Sequence, residues 1–287
     1  MVKKFNGYKI FKGRTLIIAT MHHKEKVIAP ILEKELGVYC KTVPNLNTDT
    51  FGTFTGEVER KENAMVTVKA KALAALERTT ETLVIASEGS FGAHPSCFFM
   101  SADEEMVILL DKKNNIEIRG RHLTTETNFN HQEIKNINDM KEFESRIGFP
   151  DHGIILKTKG RTVEERIFKN FPSSVSLRSK VNELLQGNKT ITAETDMRAM
   201  NNPTRMKAIE KAVIDLVSNV KSICPKCNAP GFSVSAVVRG LRCSLCNLPT
   251  KSVKGYIYMC EICDFSCERE KENITQEDPT YCDFCNP

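Results

Sequence analysis

The sequence predicts an α/β protein, a mixed central sheet with flanking helices, followed by a small C-terminal double zinc ribbon. Three observations carry that expectation. The run Thr15-Leu16-Ile17-Ile18-Ala19-Thr20 reads as a short buried strand, and helical periodicity follows it. A second apolar run, Leu83-Val84-Ile85-Ala86, is followed by Ser87-Glu88-Gly89-Ser90-Phe91-Gly92, where an acidic residue and two glycines predict that the strand leaves the sheet. Nine of the eleven cysteines fall between Cys224 and Cys285.

The 287 residues leave room for one sizeable core plus a smaller module, read here as an α/β domain over 1–221 and a zinc-binding module over 222–287. With 40% hydrophobic and 27% charged residues the chain is ordinary for a soluble protein. It lacks a run of eighteen apolar residues, and Met1 to Arg14 lacks the apolar centre of a signal peptide, so a cytoplasmic location away from membrane is expected. The net charge of +5 is spread along the chain and does not by itself argue for nucleic acid.

After the first strand, Met21-His22-His23-Lys24 leads into a helix predicted over Glu25 to Leu36, kinked or delayed by Pro30. Thr20, His22, His23 and Lys24 therefore stand at a helix N-terminus, where backbone N–H groups and the dipole favour an anion; the alternative is solvated surface. Asn45 to Glu57 reads as a loop, and Val58 to Arg78 as a helix with Met65, Val68, Ala72, Ala75 and Leu76 on its apolar stripe. Glu59 and Glu62 in its first turns either complement the dipole or face Glu88. Gly89 and Ser90 beside Glu88 would let a phosphate or metal approach the backbone, as at other strand ends of α/β sheets, against the alternative of an ordinary turn.

Short strands are expected at Cys97 to Ser101, Met106 to Asp111 and Asn115 to Arg119, the last two joined by a hairpin at Lys112-Lys113-Asn114. The polar segment Arg121 to Asn130 is long enough to cover a site. A helix near Asp139 to Arg146, a strand at Gly153 to Lys157, a helix near Ser176 to Leu185 and a strand at Thr190 to Thr195 follow. Then Asn202 and Pro203 are the cap and first residue of a helix to Val220, with Met206, Ile209, Val213 and Leu216 buried. Arg198 and Arg205 at its entrance suit phosphate, or pair with Glu194 and Asp196.

In the tail, Cys224/Cys227 and Cys243/Cys246 are separated by fifteen residues, and Cys260/Cys263 and Cys282/Cys285 by eighteen. Both intervals fit four-thiolate zinc sites, so two structural zinc ions are expected, paired sequentially or, alternatively, interleaved. Sequential pairing is the favoured expectation. Four thiolates leave no open coordination position, which assigns these ions to folding. Cys267 is an alternative ligand or simply buried. From Cys224 onward seven Lys and Arg stand against eight Asp and Glu, which disfavours nucleic acid as the module's partner without excluding it.

The first 220 residues resemble the inosine/xanthosine triphosphate pyrophosphatase superfamily, in its branch acting on noncanonical purine nucleoside triphosphates. The resemblance rests on Ala19-Thr20 with Lys24, Phe51-Gly52 before Glu62-Asn63-Ala64 and Lys69-Ala70, Ala86 to Phe91, and Asn202-Pro203-Thr204-Arg205 with Ala208 and Ala212. The full length, with its tail, resembles an uncharacterised bacterial family. The superfamily resemblance implies a two-lobed fold with a nucleotide cleft and metal-dependent hydrolysis of a phosphoanhydride. Lys24 and the first strand's turn would contact phosphates, Glu62 and Glu88 would hold Mg²⁺, and Arg205 would meet phosphate or base. The usual asparagine of that turn is replaced around Met21-His22-His23, and Lys69 lies further along its helix than the family pattern has it. A nucleotide-sensing protein without turnover, using the ribbons to contact a partner or nucleic acid, is the alternative; a homodimer is compatible with either.

Overall fold

The computed structural model describes residues 4–48, 63–159, 166–187 and 190–287. Its central sheet has five strands in the order β2-β1-β3-β4-β5: β1 Thr15–Ala19, β2 Tyr39–Thr42, β3 Leu83–His94, β4 Cys97–Asp111 and β5 Ile116–Thr124. β1 runs parallel to β2 and β3, whereas β3, β4 and β5 form an antiparallel meander, so the sheet is mixed.

Alternation along each strand divides the core in two. Leu83, Ile85, Val107 and Leu109 point to one face, packed against α1 (Glu25–Leu36) and α5 (Pro203–Lys221) through Ile28, Leu32, Ile209, Val213 and Leu216. Val84, Ala86, Ile108 and Leu110 point to the other, packed against α2 (Ala64–Leu76) through Val68, Ala72 and Ala75. Gly120 lets α5 lie directly on β5: a Cβ there would come within 2.5 Å of the Ala212 carbonyl and of the Leu216 nitrogen.

The segment between β5 and α5 builds a second sheet in the order β6-β9-β7-β8, all antiparallel: β6 His131–Ile134, β7 Ile154–Lys159, β8 Arg166–Phe168 and β9 Thr190–Thr195. Helices α3 (Ile137–Ile147) and α4 (Ser174–Gln186) close a separate core over it, around Phe143, Leu156, Leu177, Val181 and Ile191. Both helices open on capping boxes, Asn136 with Asp139 and Ser173 with Ser176.

Several expectations are corrected here. The turn expected after Ala86 is absent: β3 continues through Glu88, Gly89 and Gly92 to His94, because β4 pairs with it throughout. The two short strands expected between Cys97 and Asp111 are one 15-residue strand, since Asp103 and Glu105 face inward rather than forming a turn. The helix expected from Val58 begins at Ala64, with the Asn63 side chain accepting from the Val66 N–H; residues 58–62, and Glu59 and Glu62 with them, lie outside the described residues. Helix α1 keeps Pro30 inside it, and the hairpin after Asp111 and the Asn202 cap stand where expected.

The tail is a three-stranded antiparallel sheet, β10 (Ser233–Arg239), β11 (Val253–Met259) and β12 (Ser266–Glu270). No sharp boundary separates it from the first 221 residues. Cys224, Cys227, Phe232 and Cys260 belong to the same buried cluster as Phe5, Phe11, Ile118 and Val220. The Phe5 N–H donates to the Cys227 carbonyl and the Gly7 N–H to that of Asn228. No helix among the described residues is long and apolar enough to cross a membrane.

Candidate functional site

β1 ends at Ala19, opposite Ala86, and the chain turns away through Thr20 to Lys24 into α1. Beyond Ala86, β3 has lost β1 as a neighbour, and a cluster of buried charge fills the place where the two part. Lys24 is buried, and its Nζ donates to Ser87 Oγ at 2.9 Å. Lys71 from α2 meets Glu88 Oε2 at 2.5 Å, both buried on the opposite sheet face. On the face toward α5, Arg205, with no exposed surface, donates from Nε to Glu105 Oε1 at 2.6 Å and from Nη1 to the Met197 carbonyl at 2.5 Å.

Space for that pair comes from Gly89, directly opposite Glu105 in the β3–β4 register. The Arg205 guanidinium lies over the Phe91 ring at 5.1 Å, and Phe91 stacks on Phe129 at 5.8 Å. The polar segment after β5 thus packs over the cluster, as its length suggested. Asn202 fixes Arg205 from below: its side chain accepts from the Arg205 N–H and donates to Asn128 Oδ1 at 2.9 Å.

Burial in a crowd of charge shifts three groups. Lys24 is lowered to about 7, by burial first, then by Arg205 and Lys71, while Glu105 and Glu88 oppose the shift. Asp103 is raised to about 8, by burial first and then by Glu105. His22 is lowered to about 3, by burial and then by Lys24 and Arg205. Groups displaced in this way concentrate at functional sites.

Of the residues singled out in the sequence, Lys24, Glu88, Gly89 and Arg205 come together here, with His22 within their field. His23 turns outward at φ 58° and faces Glu25 Oε1 at 3.5 Å; Ser90 is half-buried. Arg198 is held by Asp196, from Nη2 to Oδ2 at 2.6 Å, the pairing that competes with phosphate. Thr20 is buried, accepts from the His22 N–H, and also lines a cavity of about 510 Å³ with Met21, His23, Thr42, Asn45 and Asn47.

Four participants were not singled out: Lys71, Ser87, Asp103 and Glu105. The legible signal was Asp103 and Glu105 at alternate positions in phase with Val107 and Leu109, two acids on the buried face of one strand.

The thiolates form two sets, Cys224/Cys227/Cys260/Cys263 and Cys243/Cys246/Cys282/Cys285. Pairing is therefore interleaved, which corrects the sequential expectation. The reason is the sheet: Cys260 and Cys263 join β11 to β12 at the end where β10 begins, beside Cys224 and Cys227, and the second set gathers at the opposite end. The knuckles share a geometry, the Asn228, Asn247 and Asp264 N–H groups donating to the carbonyls of Cys224, Cys243 and Cys260, each with φ between 56° and 60°.

Sulfur–sulfur distances test the fit to zinc. Neighbouring thiols are 3.7 Å (Cys224–Cys263), 3.6 Å (Cys227–Cys260), 3.9 Å (Cys243–Cys285) and 3.6 Å (Cys246–Cys282) apart. A tetrahedron with Zn–S of about 2.3 Å has edges of about 3.8 Å, whereas a disulfide brings sulfurs to about 2.05 Å. Both sets suit Zn²⁺. Cys267 lies outside both sets, half-buried on β12 opposite Tyr258.

Fold and site define an α/β protein whose core is continuous with a two-site, four-cysteine ribbon. A family model described as a domain of unknown function, DUF6671, matches residues 71–287, and the chain belongs to that family. The match holds Lys71, Glu88, Asp103, Glu105, Arg205 and all eight paired cysteines together; β1 and Lys24 precede it. Neither the curated proteins nor the solved structures contain a match.

Proposed function

We propose that the chain catalyses metal-dependent hydrolysis of a phosphoanhydride in a nucleoside triphosphate, with noncanonical purine nucleotides as the substrate class. One observation supports this most: Lys24 from the turn before α1, Lys71 from α2 and Arg205 from α5 gather with Glu88, Asp103 and Glu105, on the two faces of the sheet, where β1 and β3 part, the strand-end position at which α/β sheets bind ligands. The adjoining cavity, with Thr20 on its wall, supplies room for the nucleotide.

An amine with a pKa of about 7 serves as a proton donor and as an acceptor near neutrality, and Lys24 is held in place by Ser87. Mg²⁺ supplies charge neutralisation at the phosphate oxygens and orients water for in-line attack. Among the described residues only the cysteine sets gather three or more metal-ligating side chains, and Glu88 is engaged by Lys71. Glu62, the other acid that the superfamily resemblance assigns to Mg²⁺, lies outside the described residues.

The test is phosphate and pyrophosphate release from common and noncanonical nucleoside triphosphates, with Mg²⁺ or Mn²⁺ and without. Metal-dependent release selective for ITP or XTP, lost in a folded Glu88→Gln variant, supports the reading; no release from any triphosphate sinks it. A second reading, nucleotide sensing without turnover, draws on the ion pairs that already engage Glu88 and Arg205. Thermal stabilisation by ITP or XTP with no product would select it.

A further inference from the structure

We propose that Asp103 and Glu105 on β4 form a divalent-cation site, of the Mg²⁺ or Mn²⁺ class. This rests on the hydrolase reading only for its use, not for its existence. Both side chains are fully buried, two residues apart on the strand face toward α5. Both Asp103 oxygens and Glu105 Oε2 lack a hydrogen-bond partner, although Glu105 Oε1 is taken by Arg205. Three carboxylate oxygens are therefore open in the interior of one cluster, an arrangement that costs heavily unless something fills it.

A proton on Asp103, which burial and Glu105 favour, does not fill it, because one shared proton satisfies at most two of the three open oxygens. Further cationic side chains are not what is missing either, since Lys24 and Arg205 already act on Asp103 and leave its oxygens open. A hard divalent ion is satisfied by one or two carboxylates, with water and phosphate oxygens completing the shell. Glu88, tied to Lys71 across the sheet, is not a ligand in this arrangement.

The experiment uses the full-length chain loaded with zinc, so that the cysteine sets do not take up the probe. Mn²⁺ is titrated and the free ion followed by electron paramagnetic resonance. One Mn²⁺ per chain is expected, weakened at least tenfold by Asp103→Asn, retained by Glu88→Gln and displaced by Mg²⁺. Circular dichroism of Asp103→Asn, an isosteric change, establishes that it folds. Absence of Mn²⁺ binding to the wild-type chain, as when water fills the site, or unchanged binding by folded Asp103→Asn, overturns the proposal. Bound Mn²⁺ without product from any triphosphate removes the hydrolase reading and leaves the site standing. Unchanged Mn²⁺ binding by folded Asp103→Asn together with undiminished product release removes the site and leaves the hydrolase reading standing.

Discussion

Gly89 and Glu105 stand opposite each other in the β3–β4 pairing, and the space where a Gly89 side chain would lie is occupied by the Glu105 carboxylate and the Arg205 guanidinium. A Cβ at that position would come within 2.5 Å of Glu105 Oε1 and 2.6 Å of Arg205 Nη2. These are the ends of long side chains, but a buried ion pair under Phe91 pins them. Gly89→Ala is expected to cost about 1–3 kcal/mol in denaturant unfolding, the usual range for overpacking. A neutral result would mean that the pair moves freely.

The pair itself gives a second expectation. Removing one partner strands the other charge in the interior, at a cost of about 3–5 kcal/mol, whereas replacing both with apolar groups avoids that penalty. Glu105→Leu and Arg205→Met should each destabilise strongly, and the double variant should be more stable than either. If the two losses simply add in unfolding experiments, the pair is not coupled.

Lys24 sets a pH dependence. Its folded pKa is about 7, below the unfolded value of about 10.4, so between these values the unfolded chain binds the extra proton and stability rises with pH. The contribution is fully present above the unfolded value and is lost as pH falls through about 7. Measured against Lys24→Met, so that other titrations cancel, wild-type stability should gain on the order of 4 kcal/mol between pH 7 and 10.5. A flat difference would remove Lys24 from the buried cluster.

The two cysteine sets should behave differently. Metal analysis should find two zinc ions per chain. Structural zinc contributes roughly 10 kcal/mol or more in small modules, comparable to the whole stability of a domain. Because Cys260 is packed with Phe5, Ile118 and Val220, Cys260→Ser should cost the α/β core its cooperative unfolding. Cys282→Ser, at the far end of the ribbon, should lose one zinc and keep that core. Equal damage from both variants, read by near-ultraviolet circular dichroism, would show that the two ends are one folding unit.

Local pattern made most elements legible. The α1 bounds, the Asn202–Pro203 entrance to α5 and the β4–β5 hairpin follow from periodicity, capping and turn chemistry, which act within a few residues. Lys24, Glu88 and Arg205 were legible as chemistry-bearing groups in awkward company. Their partners were not. Lys71 reads as one more lysine on a helix, and Asp103-Glu104-Glu105 reads as a polar break between strands until both flanking strands are known to be buried.

By itself, the sequence determined that eight cysteines in four C-x-x-C pairs make two four-thiolate sets, because each knuckle is a local structure. Only the tertiary structure decided which pairs meet, since strand order in the ribbon brings Cys260 and Cys263 beside Cys224 and Cys227. The same division holds in the cluster: residue type placed charge near the strand ends, but Gly89 opposite Glu105, and Arg205 reaching between them from a helix 100 residues away, depend on register and packing over distances that local pattern does not carry.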